Sequence, residues 1–383
     1  MSVKLEGIFD SFMSAYRRRY SCDILLIRLI EDWKIGMDQV YTAAILSTDM
    51  SKAFDSMSLL TKLKAYGLSR EALSLMRSYF SDRRNRTKLG NVTSRWEDVT
   101  RGRPQGSSLG PLLWHVYQND IFYVERKSQL SAYADDHQLY YSQRKPEQAI
   151  LELNRDGKNT SEWYKENFLE GNLTKYQTMI SSKQDAHDLD VEIDGMTTNF
   201  QLYFTLFTAL TLTIINITDE LKLLDVTIDE KLTFSEHISA TCKKASSRVG
   251  VLMRLRKLIP VESKLRISKA AILPYLTYCG LTWHFCRRSD SSKLERINER
   301  GLRAVYSDWS SPYSELLARA KMTTLYNRQL QDIAIFVLYV KNKLLPRTIL
   351  ELFPATSNCY NLRNADFTLP RVNTTRFGKA KFD

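Results

Sequence analysis

Two aspartates stand side by side at Asp135-Asp136, between the apolar runs Leu130 to Tyr133 and Leu139 to Tyr141. The flanking runs alternate or carry aromatics, the pattern of two paired strands. Ala134 and Asp135 are short enough for a tight turn, although Asn-Gly, the strongest short hairpin signal, is absent. The hairpin predicted here carries two like charges at its tip, and each carboxylate raises the other's pKa. A hard divalent cation bound by their oxygens removes that penalty. An isolated Asp-Asp pair also fits a solvated turn, so the pair needs a second element before it implies chemistry.

That element lies upstream. Tyr41 to Leu46 is an apolar, β-leaning run ending at Ser47-Thr48-Asp49, which predicts a strand delivering Asp49 at its end. One carboxylate on a strand and two on a neighbouring hairpin can hold two Mg²⁺ ions about 3.5–4 Å apart, an arrangement suited to in-line phosphoryl transfer. Between them runs Gly102-Arg103-Pro104-Gln105-Gly106, then Ser107-Ser108-Leu109-Gly110-Pro111. Glycines there allow a close backbone approach. Ser107 or Ser108 is the expected N-cap of a helix with Pro111 in its first turn and Leu112, Leu113, Val116 and Tyr117 on its core face.

Three strings in this order carry a resemblance: Asp49-Met50-Ser51-Lys52-Ala53-Phe54-Asp55, then Pro104-Gln105-Gly106-Ser107-Ser108-Leu109-Gly110-Pro111-Leu112-Leu113, then Tyr133-Ala134-Asp135-Asp136. Together they resemble the reverse transcriptase of non-LTR (LINE-like) retrotransposons, over residues 8–350 and most specifically over 41–180. The resemblance implies an α+β right-hand polymerase: an antiparallel palm sheet backed by helices, partial fingers and a helical thumb. It implies an RNA-directed DNA polymerase that joins a dNTP to a DNA primer 3′-hydroxyl on an RNA template, using two Mg²⁺ ions or Mn²⁺ in their place. Asp49 and Asp135 would bridge the metals, with Asp136 in support. Phe54 would lie under the sugar and exclude a 2′-hydroxyl, while Gln105 and Gly106 would flank the nascent base pair. Lys175, within Asn172 to Ile180, would approach the triphosphate as a general acid or a point-charge clamp. A core aromatic at 54 and a surface lysine at 175 remain open readings.

The rest of the chain is consistent with a polyanionic partner. Net charge is +12 and the pI about 9.3, which favours nucleic acid ahead of a membrane surface. Five cysteines without a Cys-x-x-Cys argue against a zinc finger or disulfide framework and fit a reducing compartment. Acidic residues interrupt the N-terminus and no long apolar core follows, so no signal peptide is read, and the expected location is nuclear or cytoplasmic.

Residues 1–40 are expected to be partial fingers, helical over 8–40 and ending near Gly36, in a chain truncated relative to a whole element. By the same resemblance, residues 41–182 would form the palm and fingers core. Within it a helical pair spans 58–80, with Ser69 as a cap. The basic hairpin after it places Arg84 and Arg86 against a heteroduplex, unless it is a solvated loop. Residues 183–238 extend the palm. They include an uncharged insert at 200–217, short for a membrane span and read as atypical inserted sequence, so no stable membrane association is expected. They also include a primer-grip-like hairpin in which Asp225 stands where the family prefers glycine, a position expected to need positive φ or close approach. Residues 239–350 form a basic helical thumb, opened by a helix over 239–259 that offers Lys243, Lys244 and Arg248 to a duplex and stops at Pro260. Residues 351–383 are a polar tail. The alternative is a catalytically inactive relic or co-opted nucleic-acid-binding protein, motivated by the short fingers, the insert, Arg103 and Asp225.

Overall fold

The computed structural model describes residues 7–39, 42–50, 56–99, 106–169, 171–181, 191–193, 196–198, 203–208 and 211–353. Phe54 and Gln105 lie outside them, as do Arg103 and most of the tail. The described chain is α+β and divides into two compact units.

The first helix, α1 (Cys22–Asp38), starts later than the periodicity suggests, because residues 7–20 are turns. Ser21 caps it by accepting the Ile24 N–H, and Gly36 lies buried inside the helix instead of ending it. In the first unit, β1 (Thr42–Thr48) follows, buried at every position except Ser47, as a strand covered on both faces must be. Next come α2 (Ser56–Ala65) and α3 (Arg70–Phe80). Leu59, Leu60 and Leu63 face the core, and Gly67, at φ +82°, ends α2. The Leu68 N–H returns to the Leu63 carbonyl at 3.2 Å, a helix stop that needs a residue able to take positive φ. Ser69 caps α3 as expected.

The basic hairpin is two nested ladders. Its outer strands are β2 (Arg84–Asn85) and β5 (Glu97–Asp98). Its inner strands, β3 (Lys88–Leu89) and β4 (Val92–Thr93), meet across Gly90-Asn91. Lys88 and Val92 therefore sit on opposite sides of a turn. The helix α4 (Gly110–Gln118) begins with Leu109 at its N-cap and Pro111 in its first turn. Ser107 serves the turn before it, accepting the Leu109 N–H at 3.2 Å. Gly106 has φ +80°, and a Cβ built there meets nothing within 4 Å, so the chain needs glycine at 106 for the turn and not for a close contact with its own backbone.

The strands β6 (Gln129–Tyr133) and β7 (Asp136–Gln143) pair antiparallel with Tyr133 opposite Asp136. Then come α5 (Pro146–Glu166) and β8 (Gln177–Ser181). The sheet order is β6-β7-β1-β8, so the β6–β7 hairpin lies next to the strand that ends at Asp49. Lys62 fixes α2 beneath this assembly. Its Nζ donates to the Tyr117 carbonyl at 2.7 Å, to Asp120 at 2.8 Å and to Asn167 Oδ1 at 2.6 Å. Burial pulls its pKa down while Asp120 opposes that shift. Two further ladders follow, β9 (Val191–Ile193) with β10 (Met196–Thr198) and β11 (Tyr203–Thr208) with β12 (Thr211–Asn216). The described residues of the insert thus pair as an antiparallel ladder. No helix among the described residues is long and apolar enough to cross a membrane.

The second unit takes in α1, the hairpin β13 (Glu220–Leu223) with β14 (Val226–Asp229), and the C-terminal helices. These are α6 (Ser235–Arg254), α7 (Val261–Ile267), a π-turn at Ser268–Ile272, α8 (Leu273–Thr277), α9 (Gly280–Trp283), α10 (Arg288–Tyr306), α11 (Tyr313–Ala320), α12 (Leu325–Lys341) and α13 (Arg347–Leu350). The helix expected over 239–259 therefore starts earlier, at Ser235, and ends at Arg254, before Pro260. Ile24 of α1 packs with Val340, Leu345 and Ile349, while Leu302, Leu316, Leu317 and Ala320 form a second cluster.

The β13–β14 turn places both Leu224, at φ +47°, and Asp225, at φ +62°, in the left-handed region. Position 225 does need positive φ. An L-residue there costs roughly 1–2 kcal/mol. The Lys222–Asp225 ion pair at 2.7 Å is exposed and offsets little of that. Asp225→Gly is expected to raise the melting temperature by about 2 °C, and Leu224→Asn to add to it. A melting temperature unchanged or lowered in differential scanning fluorimetry would show that the turn is not strained.

Candidate active site

The β6–β7 hairpin turns through two residues, Ala134 and Asp135. Ala134 has φ +57° and Asp135 does not share its positive φ, as in a turn that suits the right-handed strand twist. Ala134 bears a Cβ in a region that favours glycine, so something must hold the turn. Trp114 of α4 does so, donating its indole N–H to the Ala134 carbonyl at 2.8 Å. The result exposes Asp135 at the tip and half-buries Asp136 at the start of β7.

Asp49 follows the last residue of β1. Its carbonyl accepts the Asn172 N–H at 2.8 Å, and Met50 bridges to Gly171. This pins the segment leading into the single 3₁₀ turn at Leu173–Lys175 against the end of β1. Lys175 Nζ then stands 3.1 Å from Asp49 Oδ2, with Lys175 largely exposed and Asp49 mostly covered. Gly171 is required for this join: a Cβ there would lie 2.1 Å from the Tyr176 hydroxyl. Tyr176 is buried and its pKa is raised, first by burial and then by the Asp49 charge.

The Asp136 carboxyl is pushed up to about 6, chiefly by burial, then by the charges of Asp135 and Asp49, with Lys175 pulling the other way. Among the described residues no three His, Cys, Asp or Glu side chains form a ready-made metal cage. The corner nevertheless fits a cation in its chemistry. Its donors are hard carboxylate oxygens, their mutual repulsion is only partly offset, and the cation now beside Asp49 is an ammonium.

Behind the corner runs a buried polar chain that sequence reasoning passed over. Thr48 Oγ1 lies 2.9 Å from the Tyr164 hydroxyl, which lies 2.8 Å from His137 Nδ1. His137 Nε2 lies 3.1 Å from Gln118 Oε1. His137 is wholly buried, and burial, aided by Arg126, pushes its pKa down to about 3, so it is neutral near pH 7. The one available signal was the position of Thr48 and His137, each beside a predicted catalytic aspartate.

Of the residues expected to touch nucleic acid, Arg84 is paired with Asp98 across its own ladder at 2.7 Å. Arg86 lies over the Trp96 ring at 4.5 Å, beside an exposed apolar tip of Leu89 and Val92. On α6, Lys243 and Lys244 are exposed, and Arg248 stacks on Tyr275 at 4.6 Å while donating to its hydroxyl at 2.8 Å.

Comparison with known proteins bears on this geometry. The model of the reverse transcriptase (RNA-dependent DNA polymerase) family matches residues 18–224. The chain is 25% identical over 283 residues to the probable RNA-directed DNA polymerase from transposon BS of Drosophila melanogaster, covering 70% of this chain and 29% of that one. It is 23% identical over 336 residues to the probable RNA-directed DNA polymerase from transposon X-element of the same fly, covering 85% and 35%. It thus spans about a third of the length of these relatives. Among solved structures, a telomerase from Candida albicans in complex with a fragment of telomeric RNA aligns with TM-score 0.38 and 14% identity, over 84% of this chain and 55% of that one.

Two outcomes follow from the corner. Asp136 titrates near 6 when folded and near 3.9 when unfolded, so the metal-free fold loses stability as pH rises from about 4 to 6 and stays penalised above. Asp136→Asn is expected to melt higher than the parent at pH 7 in metal-free buffer, with the gap closing at pH 4; an equal gap at both pH values contradicts the assignment. Gly171→Ala is expected to cost about 1–3 kcal/mol in urea unfolding, through displacement of the buried Tyr176 ring.

Proposed function

The chain belongs to the reverse transcriptase (RNA-dependent DNA polymerase) family, and from that premise we propose that it carries the polymerase centre of a non-LTR retrotransposon protein. The reaction would join a dNTP to a primer 3′-hydroxyl on an RNA template. The observation that carries the reading is that Asp49, remote in sequence from the adjacent pair Asp135 and Asp136, comes close enough for its charge to act on Asp136 together with that of Asp135. The assignment of residues 1–40 to partial fingers, 41–182 to the palm and fingers core and 239–350 to a thumb belongs to the same proposal.

In this reading the aspartate oxygens would hold two Mg²⁺ ions, or Mn²⁺. Bound there, such ions supply Lewis-acid activation of the hydroxyl and neutralise the departing pyrophosphate. Asp49 and Asp135 would draw together around them, with Asp136 behind. Lys175 stands on the Asp49 side with its ammonium exposed, placed to donate a proton to the leaving group or to clamp the triphosphate. Phe54 would select deoxyribose, and Gln105 and Gly106 would shape the space for the nascent pair. Arg84 is held by Asp98 and Lys244 already acts on Asp225, so Arg86 and the exposed Lys243 are the stronger candidates for phosphate contacts. Arg248 would meet a backbone with its guanidinium already ordered on Tyr275.

Primer extension on an RNA template with Mg²⁺ and dNTPs tests the reading. Asp49→Asn and Asp135→Ala are each expected to lower kcat about 10³-fold, the equivalent of roughly 4 kcal/mol of lost transition-state stabilisation. Lys175→Ala is expected to cost about 10²-fold. Salt-sensitive RNA binding without any extension by the parent chain would favour the inactive nucleic-acid-binding alternative.

A further inference from the structure

Asp49 directly follows β1 and Asp136 begins β7, and each aspartate has a buried polar neighbour on its strand. Thr48, His137, Tyr164 and Gln118 are each 3% exposed or less. The four come from β1, β7, α5 and α4, so no secondary-structure hydrogen bonding requires any of them to be polar. Burying four polar side chains is costly unless each is satisfied by another. Here three hydrogen bonds link them in a single direction, with the Gln118 Nε2 amide at the far end left without a partner. With the Gln118 carbonyl oxygen as acceptor, His137 Nε2 carries the ring proton and donates to it at 3.1 Å. Nδ1 is then an acceptor, and the Tyr164 hydroxyl donates to it at 2.8 Å. The Tyr164 oxygen accepts in turn from Thr48 Oγ1 at 2.9 Å. Thr48 Oγ1 also lies 3.4 Å from the His137 carbonyl.

We infer that this chain is a clamp that sets the separation of Asp49 and Asp136, and that Thr48, Tyr164 and His137 are positioning residues for the divalent cations of the proposed reaction. The inference rests on the nucleotidyl-transfer reading for the identity of the ligand. A Thr–Tyr–His bridge ties the residue before one carboxylate to the residue after the other, through a tyrosine fixed on a helix. Outer-shell hydrogen bonds of this sort typically change metal affinity about 10–100-fold when broken. β1 and β7 are already neighbours in the sheet, and the side-chain bridge adds a second tie between them directly behind the two carboxylates.

Thr48→Val keeps shape and removes the donor, Thr48→Ser keeps the donor, and Tyr164→Phe keeps the ring and removes both bonds. Mn²⁺ binding is read by electron paramagnetic resonance in the full chain, with Asp49→Asn as the control that defines the site. The parent is expected to bind Mn²⁺ in an Asp49-dependent way. Thr48→Val and Tyr164→Phe are expected to weaken that binding about 10-fold or more, with Thr48→Ser within about 2-fold of the parent. In primer extension the same two variants are expected to lose kcat with KM for dNTP within about 2-fold. Unchanged Mn²⁺ affinity in Thr48→Val with melting temperature retained overturns the clamp. So does Thr48→Ser failing as badly as Thr48→Val, or a parent that shows no Asp49-dependent Mn²⁺ binding. If the variants weaken Mn²⁺ binding in a chain that never extends a primer, the clamp stands and the polymerase reading alone fails.

Discussion

Repulsion among three carboxylates is the constraint around which the first unit is arranged. Asp136 is half-buried with Asp135 beside it and Asp49 within range, and its proton affinity rises accordingly. Nothing in the strands themselves makes that favourable. The geometry persists because the backbone is held from outside the hairpin. Trp114 fixes the turn at Ala134, and Asn172 fixes the end of β1. Both anchors come from segments distant in sequence, so the corner exists only once α4 and the residues after α5 have packed. A corner assembled from four segments, each held by hydrogen bonds that do not depend on the carboxylates, can keep its charges close until a cation arrives.

Lys175 gives this arrangement its charge balance. Its ammonium at Asp49 offsets part of the repulsion at a position where the proposed reaction needs positive charge. The cost is low because Lys175 is largely exposed and keeps most of its hydration. Gly171 and Tyr176 are what bring it there. The glycine leaves room for the tyrosine hydroxyl, and the packed tyrosine ends the short turn that presents the lysine. A flexible surface lysine thus acquires a defined site through the packing of its neighbours.

The elements of the corner were legible in the sequence because the code for them is local. Alternating apolar runs on either side of two short residues specify a hairpin, and an apolar run ending in aspartate specifies a strand. Ser69 marked a helix start for the same reason. The start of α1 at Cys22 was not legible: apolar spacing continues upstream, but Ser21 caps the helix and the chain before it bonds to β6 instead. The buried chain of Thr48, Tyr164, His137 and Gln118 was missed for a different reason. Each is an ordinary polar residue in its own segment, and its partner is remote. Pairing across the core is a property of the packed state, and a scan along the sequence sees only the four separate letters.

The basic surface shows the same limit for electrostatics. A count of arginines in 77–103 treats Arg84 and Arg86 alike. In the folded hairpin, the ladder register sets Arg84 opposite Asp98, while Arg86 reaches an aromatic ring. Two positive charges two residues apart therefore offer different surfaces to a polyanion. One already has an anion beside it. The other presents a guanidinium ordered on Trp96 next to exposed apolar side chains, a combination that suits both phosphate and the face of an unpaired base. Register, not composition, decides which arginine is available. The same argument applies on α6, where stacking on Tyr275 orders Arg248 in advance and lowers the entropy lost when it meets a phosphate.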